Sequence, residues 1–217
     1  MEKIIKGSSA KTKALELGKR DFVPFLIWVI VVFLTWTFMH GADHFLKLTP
    51  EALGKYYTLR WVLIAHITAG GGALILGIIQ FWPKLRSYSW KLHRIIGVLY
   101  LLAVLVSSIC AMILAFTTAY TLRWPYAFSL QVWSGVWISS TFIAYYTALK
   151  KRYKSHQVWM TRSYIVTIAF LISGLAFKSP IVQQLGSITE IFPPLIWMGW
   201  ALPLYVYEII RSSQEGI

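Results

Sequence analysis

Residues 92–118, LHRIIGVLYLLAVLVSSICAMILAFTT, decide the fold class, because no charged side chain occurs between Arg94 and Arg123. An α-helix needs about 20 apolar residues to cross the hydrocarbon core of a bilayer. Only a helix or a closed barrel satisfies its own backbone hydrogen bonds in lipid. The run therefore predicts a transmembrane helix, and it places His93 near the start of that helix.

Five further apolar runs are long enough to span a bilayer, at about 22–40, 59–82, 125–148, 157–177 and 192–211. Of the 217 residues, 57% are hydrophobic and only 13% are charged, whereas soluble domains carry about 25% charged residues. We therefore predict an all-α, polytopic membrane bundle of six transmembrane helices. This transmembrane domain (22–211) would lie between a basic N-terminal segment (1–21) and a short tail (212–217).

The distribution of positive charge predicts the orientation of the six helices. With the N-terminus inside, 16 of the 21 lysines and arginines fall in inner segments, and such a bias places both termini in the cytoplasm. The net charge of +13 then lies mostly at one membrane face, where it would contact anionic lipid headgroups. No nucleic-acid-binding motif accompanies the charge, so nucleic acid is not an expected partner.

The five histidines fall into two layers of the predicted bundle. His93 and His156 lie near the inner starts of the third and fifth helices, while His66 shares an outer layer with His40 or His44. A haem iron can take one imidazole from each side. The sequence therefore predicts His93 and His156 as haem ligands, and an outer metal or haem site at His66 with His40 or His44. The alternative for His93 and His156 is an interfacial, solvated histidine, and the alternative for His66 is a hydrogen-bonded core residue or a proton relay.

A glycine follows two of these histidines by four residues, as Gly70 after His66 and Gly97 after His93. On a helix this spacing puts the glycine one turn from the imidazole, where it would leave room for the edge of a flat cofactor. Small residues at helical spacing also let transmembrane helices pack closely, so both interpretations stay open.

Two arginines lie near the inner histidines. Arg94 follows His93 directly, and Arg162 lies one and a half turns past His156 inside an otherwise apolar helix. A guanidinium group donates hydrogen bonds in a fork that suits planar oxyanions, so we expect both to bind haem propionates, quinone oxygens or lipid phosphates. Snorkelling of the arginines to the headgroups is the alternative.

The segments HITAGGGALILGIIQFWPKLR, LHRIIGVLY and HQVWMTRSYIVTIAF, within about residues 60–177, resemble the motifs of a bacterial family of predicted membrane proteins, domain of unknown function 2306. The family has no activity to carry over. The resemblance implies the importance of His66, His93, Arg94, His156 and Arg162 and a place in the bacterial inner membrane.

The six-helix layout is also loosely similar to that of the ascorbate-dependent b-type cytochromes and related ferric reductases. Those proteins use histidine pairs on the second and fourth helices and on the third and fifth. His93 and His156 match the second of these pairs, but the fourth run of this chain, residues 125–148, has no histidine.

We therefore expect a membrane protein that binds haem b, or a quinone, and transfers electrons in or across the inner membrane as a cytochrome b-type oxidoreductase. It would exchange electrons with a membrane or soluble redox partner. The competing hypothesis is a non-redox protein, a small transporter or an accessory subunit, whose histidines relay protons or join helices.

Overall fold

A computed structural model describes residues 26, 28–41 and 43–215, and it contains only helices and their connections in that part of the chain. Residues 1–25, including the predicted N-terminal segment 1–21, lie outside the described residues. Six long helices follow one another in the predicted order: α1 Trp28–His40, α2 Arg60–Gln80, α3 Trp90–Leu114, α4 Trp124–Leu149, α5 Tyr153–Phe177 and α6 Ile188–Glu215.

The ends of the helices differ from prediction mainly at α5, which begins at Tyr153 rather than near residue 157, and at α6. A turn of π-helix, Ala115–Ala119, extends α3 by five residues. Helix α6 begins at Ile188 and continues to Glu215, so most of the predicted tail is helical. Short helical turns fill the connections: Asp43–Lys47, Pro50–Leu53 and Gly54–Leu59 before α2, Pro83–Tyr88 before α3, and Pro180–Gln183 before α6.

Three helical segments of the described chain are long and apolar enough to cross a membrane: Pro50–Gln80, Trp90–Ala119 and Tyr153–Phe177. The described part of α1 is apolar but shorter. Helices α4 and α6 have 26 and 28 residues, which is long enough to cross, but they are not among those three segments. An all-helical membrane protein is therefore confirmed, while six crossings stay a prediction.

Helix α5 lies at the centre of the bundle. It packs against α4 and α6 along much of its length and contacts α2, while α2 and α3 form the most extensive pair. Helix α1 lies against α2 and α5: the Trp28 indole N–H donates to the Ile78 carbonyl at 3.1 Å, and the Phe38 ring meets the Phe170 ring edge-on. Buried residues of α2 to α6 form one hydrophobic core, and Trp28 and Val31 of α1 pack against it.

The two ends of the bundle differ in charge. We call the end at which α2 leads into α3 and α4 into α5 the basic end, because Arg86, Lys91 and residues 150–154 lie there. At the opposite end, Glu190 accepts hydrogen bonds from the Ser187 hydroxyl and from Arg123, at 2.9 and 2.6 Å. The hydrogen bonds from Ser187, and then the Arg123 pair, hold the pKa of the Glu190 carboxyl below its usual range. This contact ties the start of α6 to the start of α4.

Close packing between α2 and α5 depends on Gly77. The Tyr164 hydroxyl donates to the Leu74 carbonyl at 3.2 Å, and its ring stacks on Phe81. The edge of that fixed ring lies directly against Gly77, in the space that a Cβ atom would fill. Here the small-residue face of α2 serves helix packing, as small residues commonly do in membrane bundles.

Candidate cofactor site between the helices

Helices α3 and α5 run in the same direction and are joined at mid-length by a buried hydrogen bond. The Tyr100 and Ser163 hydroxyl oxygens are 2.8 Å apart. Tyr100 lies seven residues after His93, and Ser163 lies seven residues after His156. Seven residues make two helical turns and about 10 Å of rise, so each histidine lies on the same helix face and at the same distance below the contact. The two imidazoles therefore share one depth, at the basic end.

Contacts of His66 give a second check on this alignment. The His66 Nδ1 atom lies 2.9 Å from the Ser107 carbonyl oxygen, and the Phe170 ring meets the imidazole edge-on. Ser107 comes fourteen residues after His93, and Phe170 fourteen residues after His156. Helices α3 and α5 therefore each rise by about 21 Å from their inner histidine to the residue that contacts His66.

The His156 imidazole has one nitrogen engaged. Its Nδ1 atom lies 2.8 Å from the Ala144 carbonyl oxygen of α4, which can only accept a hydrogen bond, so Nδ1 carries the proton and the lone pair lies on Nε2. A histidine that ligates a metal commonly donates its other N–H in this way to a carbonyl, which fixes the ring and its tautomer. His156 is therefore arranged as a metal ligand would be.

His93 has one hydrogen-bond partner in the described part of the chain. The Gln80 Nε2 atom lies 3.2 Å from the His93 Nε2 atom, and Trp90 lies edge-on to the ring. The His93 Nδ1 and Gln80 Oε1 atoms are both buried without a hydrogen-bond partner. Buried polar atoms without partners are uncommon in folded proteins. These two atoms make the layer a candidate position for a further group.

No cluster of three or more His, Cys, Asp or Glu ligands occurs among the described residues. A haem iron needs only two protein ligands in addition to its porphyrin, so this layer is a candidate for haem rather than for a bare metal ion.

His66 lies beside a cavity of about 90 Å³ between α1 and the core of the bundle. Its lining includes the aromatic side chains of Phe38, Trp133, Trp137 and Phe170. Since Nδ1 of His66 faces the Ser107 carbonyl, Nε2 is the nitrogen left with a lone pair. The cavity is smaller than the roughly 150 Å³ that accommodates benzene.

The histidines predicted as outer partners of His66 are placed differently. His40 is exposed, and its ring stacks on Trp36, while α1 contributes Phe38 and Met39 to the cavity wall. The side chain of His44 is outside the described part of the structure. The outer metal site of His66 with His40 or His44 therefore stays a prediction.

The glycines of the two H-x-x-x-G motifs each admit a side chain from the neighbouring helix. A Cβ atom on Gly70 would lie 3.1 Å from the Ser107 hydroxyl, and one on Gly97 would lie 3.2 Å from the Gln80 amide nitrogen. A role of either glycine in holding a cofactor is still a prediction. At Gly97 the neighbour is the end of a flexible side chain, which can move.

Arg162 has a partner that sequence reasoning missed. Its guanidinium donates to both carboxylate oxygens of Glu208 on α6, at 2.7 and 3.0 Å, and lies over the Trp159 ring. Arg211 adds a second positive charge on Glu208 at 3.2 Å. Arg94, in contrast, is exposed. Of the two predicted anion partners, Arg94 is therefore the one whose guanidinium is not already held by a carboxylate in the described structure.

A buried hydroxyl network fills the space between the histidine layer and the His66 cavity. Tyr100 lies 2.8 Å from both Ser163 and Thr167, Thr141 lies 2.6 Å from Ser163, and the Trp137 indole N–H donates to Thr167. Sequence reasoning missed this network. The sequence contains one signal for it: Tyr100 lies seven residues after His93, and Ser163 lies seven residues after His156. This spacing puts each hydroxyl on the same helix face as the histidine that precedes it.

We predict that Tyr100→Phe destabilises the protein by about 1–2 kcal/mol, because it removes one hydroxyl from a buried network whose other members stay in place. Thermal unfolding in detergent measures the change. Tyr88→Phe is the matched control, since Tyr88 is 84% exposed and should have no effect. Equal stability of the two variants would show that the network contributes nothing to the fold.

Comparison with known proteins gives one match. The model of a family described as predicted membrane protein, DUF2306, matches residues 63–211, which include His66, His93, His156 and the hydroxyl network. No curated protein and no solved structure matches the chain.

Proposed function

We propose a haem-binding, electron-carrying role for this chain, which belongs to the DUF2306 family of predicted membrane proteins. Haem b would lie between α3 and α5 at the basic end, held by His93 and His156. The observation that carries the proposal is the Tyr100–Ser163 hydrogen bond, since it brings both histidines to one depth on parallel helices.

The proposed setting is the bacterial inner membrane, with six crossings and both termini in the cytoplasm. Support comes from three helices that are long and apolar enough to span and from the antiparallel succession of α2 to α5. The basic end would then face the cytoplasm, as the positive-inside rule requires, and its lysines and arginines would contact anionic lipid headgroups.

The residues of the inner layer fit a haem in their chemistry. His156 holds its Nδ1 proton against the Ala144 carbonyl, and His93 offers a buried nitrogen without a partner. The Gln80 amide lies over Gly97, and its carbonyl oxygen has no hydrogen-bond partner in the described structure, so no second hydrogen bond fixes the orientation of this amide. When bound, the haem would supply one-electron chemistry.

The other residues of this end have supporting roles in the proposal. Arg94 would bind a propionate, since its guanidinium is exposed on the turn that carries His93. Arg162, already paired with Glu208, would contribute positive charge at a greater distance. Electrons would be exchanged with a membrane or soluble redox partner, and a quinol/quinone pair is a chemically suitable one.

The test is haem stoichiometry. Protein made with an ample supply of haem precursor and purified in mild detergent should give about one haem b per chain in a pyridine haemochrome assay. A second haem per chain would point to an occupied outer site at His66. Colourless protein that also fails to take up added haem would contradict the proposal.

A second candidate function has its own support. His66 and His156 both bond a carbonyl of a neighbouring helix, and such contacts alone would join helices without any cofactor. The protein would then be a non-redox transporter or accessory subunit. In that case the wild-type protein should have no absorbance in the visible range, and His156→Gln should only lower the stability of the protein.

A further inference from the structure

We propose that Gln80 is the positioning residue of His93: its side-chain amide orients the imidazole and selects which ring nitrogen carries the proton. The inference rests on the proposed function where it concerns haem affinity. The orientation of His93 itself can be tested without any haem.

Gln80 occupies a defined position at the last residue of α2, next to the turn that leads into α3. Its amide nitrogen lies 3.2 Å from His93 Nε2, and the absence of a side chain at Gly97 leaves the space that this amide uses. In this structure Gly97 therefore provides space for the Gln80 amide. A larger residue at position 97 would push the amide away from the histidine.

The amide can act on His93 in two ways. With its nitrogen toward His93 it donates to Nε2, and the ring proton lies on Nδ1. If the amide rotates by half a turn, its oxygen accepts the Nε2 proton and Nδ1 becomes the nitrogen with a free lone pair. A metal-ligating histidine donates its other N–H to an acceptor, so the second arrangement is the one suited to a bound iron.

The atoms without partners agree with this scheme. Gln80 Oε1 and His93 Nδ1 are buried and unpaired in the same layer. Rotation of the amide would give Oε1 a hydrogen bond, and ligation would give Nδ1 a partner. His156 has its acceptor in the Ala144 carbonyl, whereas His93 has no other partner in the described chain, so Gln80 is the corresponding acceptor on its side.

The experiment compares Gln80→Leu, Gln80→Glu and the control Gln131→Leu. Gln131 is also a helical glutamine with a single bonded amide atom, but it bonds Tyr120 at the opposite end. In haem-free protein, nitrogen-15 NMR should show one dominant His93 tautomer in the wild type and a mixture in Gln80→Leu. Gln131→Leu should resemble the wild type.

In a haem titration, Gln80→Leu should bind about tenfold more weakly or worse, in line with other lost partners of metal ligands. Gln80→Glu keeps an acceptor oxygen and should bind more tightly than Gln80→Leu. An unchanged His93 tautomer in Gln80→Leu would overturn the inference, whether or not haem binds. If no variant and no wild-type protein binds haem, the proposed function is wrong, and the tautomer measurement alone decides the role of Gln80.

Discussion

We expect His93→Ala and His156→Ala each to abolish the low-spin haem spectrum of the protein. A low-spin haem would need both imidazoles, so the loss of either one should remove the low-spin spectrum. The double variant should be no worse than either single variant. The measurement is a reduced-minus-oxidised spectrum of each variant, purified side by side with the wild type.

His40→Ala is the control for these variants, because His40 is exposed and stacks on Trp36 away from the inner layer. It should leave the spectrum unchanged. A His93→Ala or His156→Ala protein that keeps its full low-spin spectrum would contradict the assignment of that residue. The predicted equal effect of His93→Ala and His156→Ala would then be wrong as well, since it rests on the shared depth of the two histidines.

The largest expected effect on stability comes from Gly77→Ala. The new methyl group would overlap the edge of the Tyr164 ring, which is held by its hydrogen bond to Leu74 and by stacking on Phe81. Overpacking of this kind costs about 1–3 kcal/mol, and it would separate α2 from α5. Thermal unfolding in detergent should show a clear drop in Tm.

Gly135→Ala is the matched control for Gly77→Ala. Gly135 also lies inside a long helix, but a Cβ atom there would meet nothing within 4 Å. Alanine is the better helix former by about 1 kcal/mol, so this variant should be as stable as the wild type or more stable. If Gly77→Ala is also at least as stable as the wild type, the packing of α2 against α5 does not depend on the glycine at position 77.

The helices could be predicted from the sequence because their causes are local. An uninterrupted apolar run such as 92–118 requires a helix in lipid, and α3 follows it closely. The shared depth of His93 and His156 was also readable, since it depends only on their distances from the helix starts. Both predictions rest on residue spacing along a helix, and the second also needs the distribution of positive charge, which starts the third and fifth helices at the same face.

The partners of the site residues could not be predicted in this way. Which helix faces meet depends on the rotation and separation of the helices, and a single sequence does not contain these quantities. The pairing of Arg162 with Glu208, and of His66 with the Ser107 carbonyl, therefore emerged only from the structure. Gln80 is a similar case, because its role depends on the space left by Gly97 on another helix.

The central claim is that His93 and His156 bind one iron from opposite sides, and the spin state of the oxidised wild-type protein tests it most directly. Low-temperature electron paramagnetic resonance on protein with its full haem content should show a low-spin ferric signal typical of two imidazole ligands. A high-spin ferric signal at full haem content would contradict the account, because it would mean that at most one of the two histidines reaches the iron.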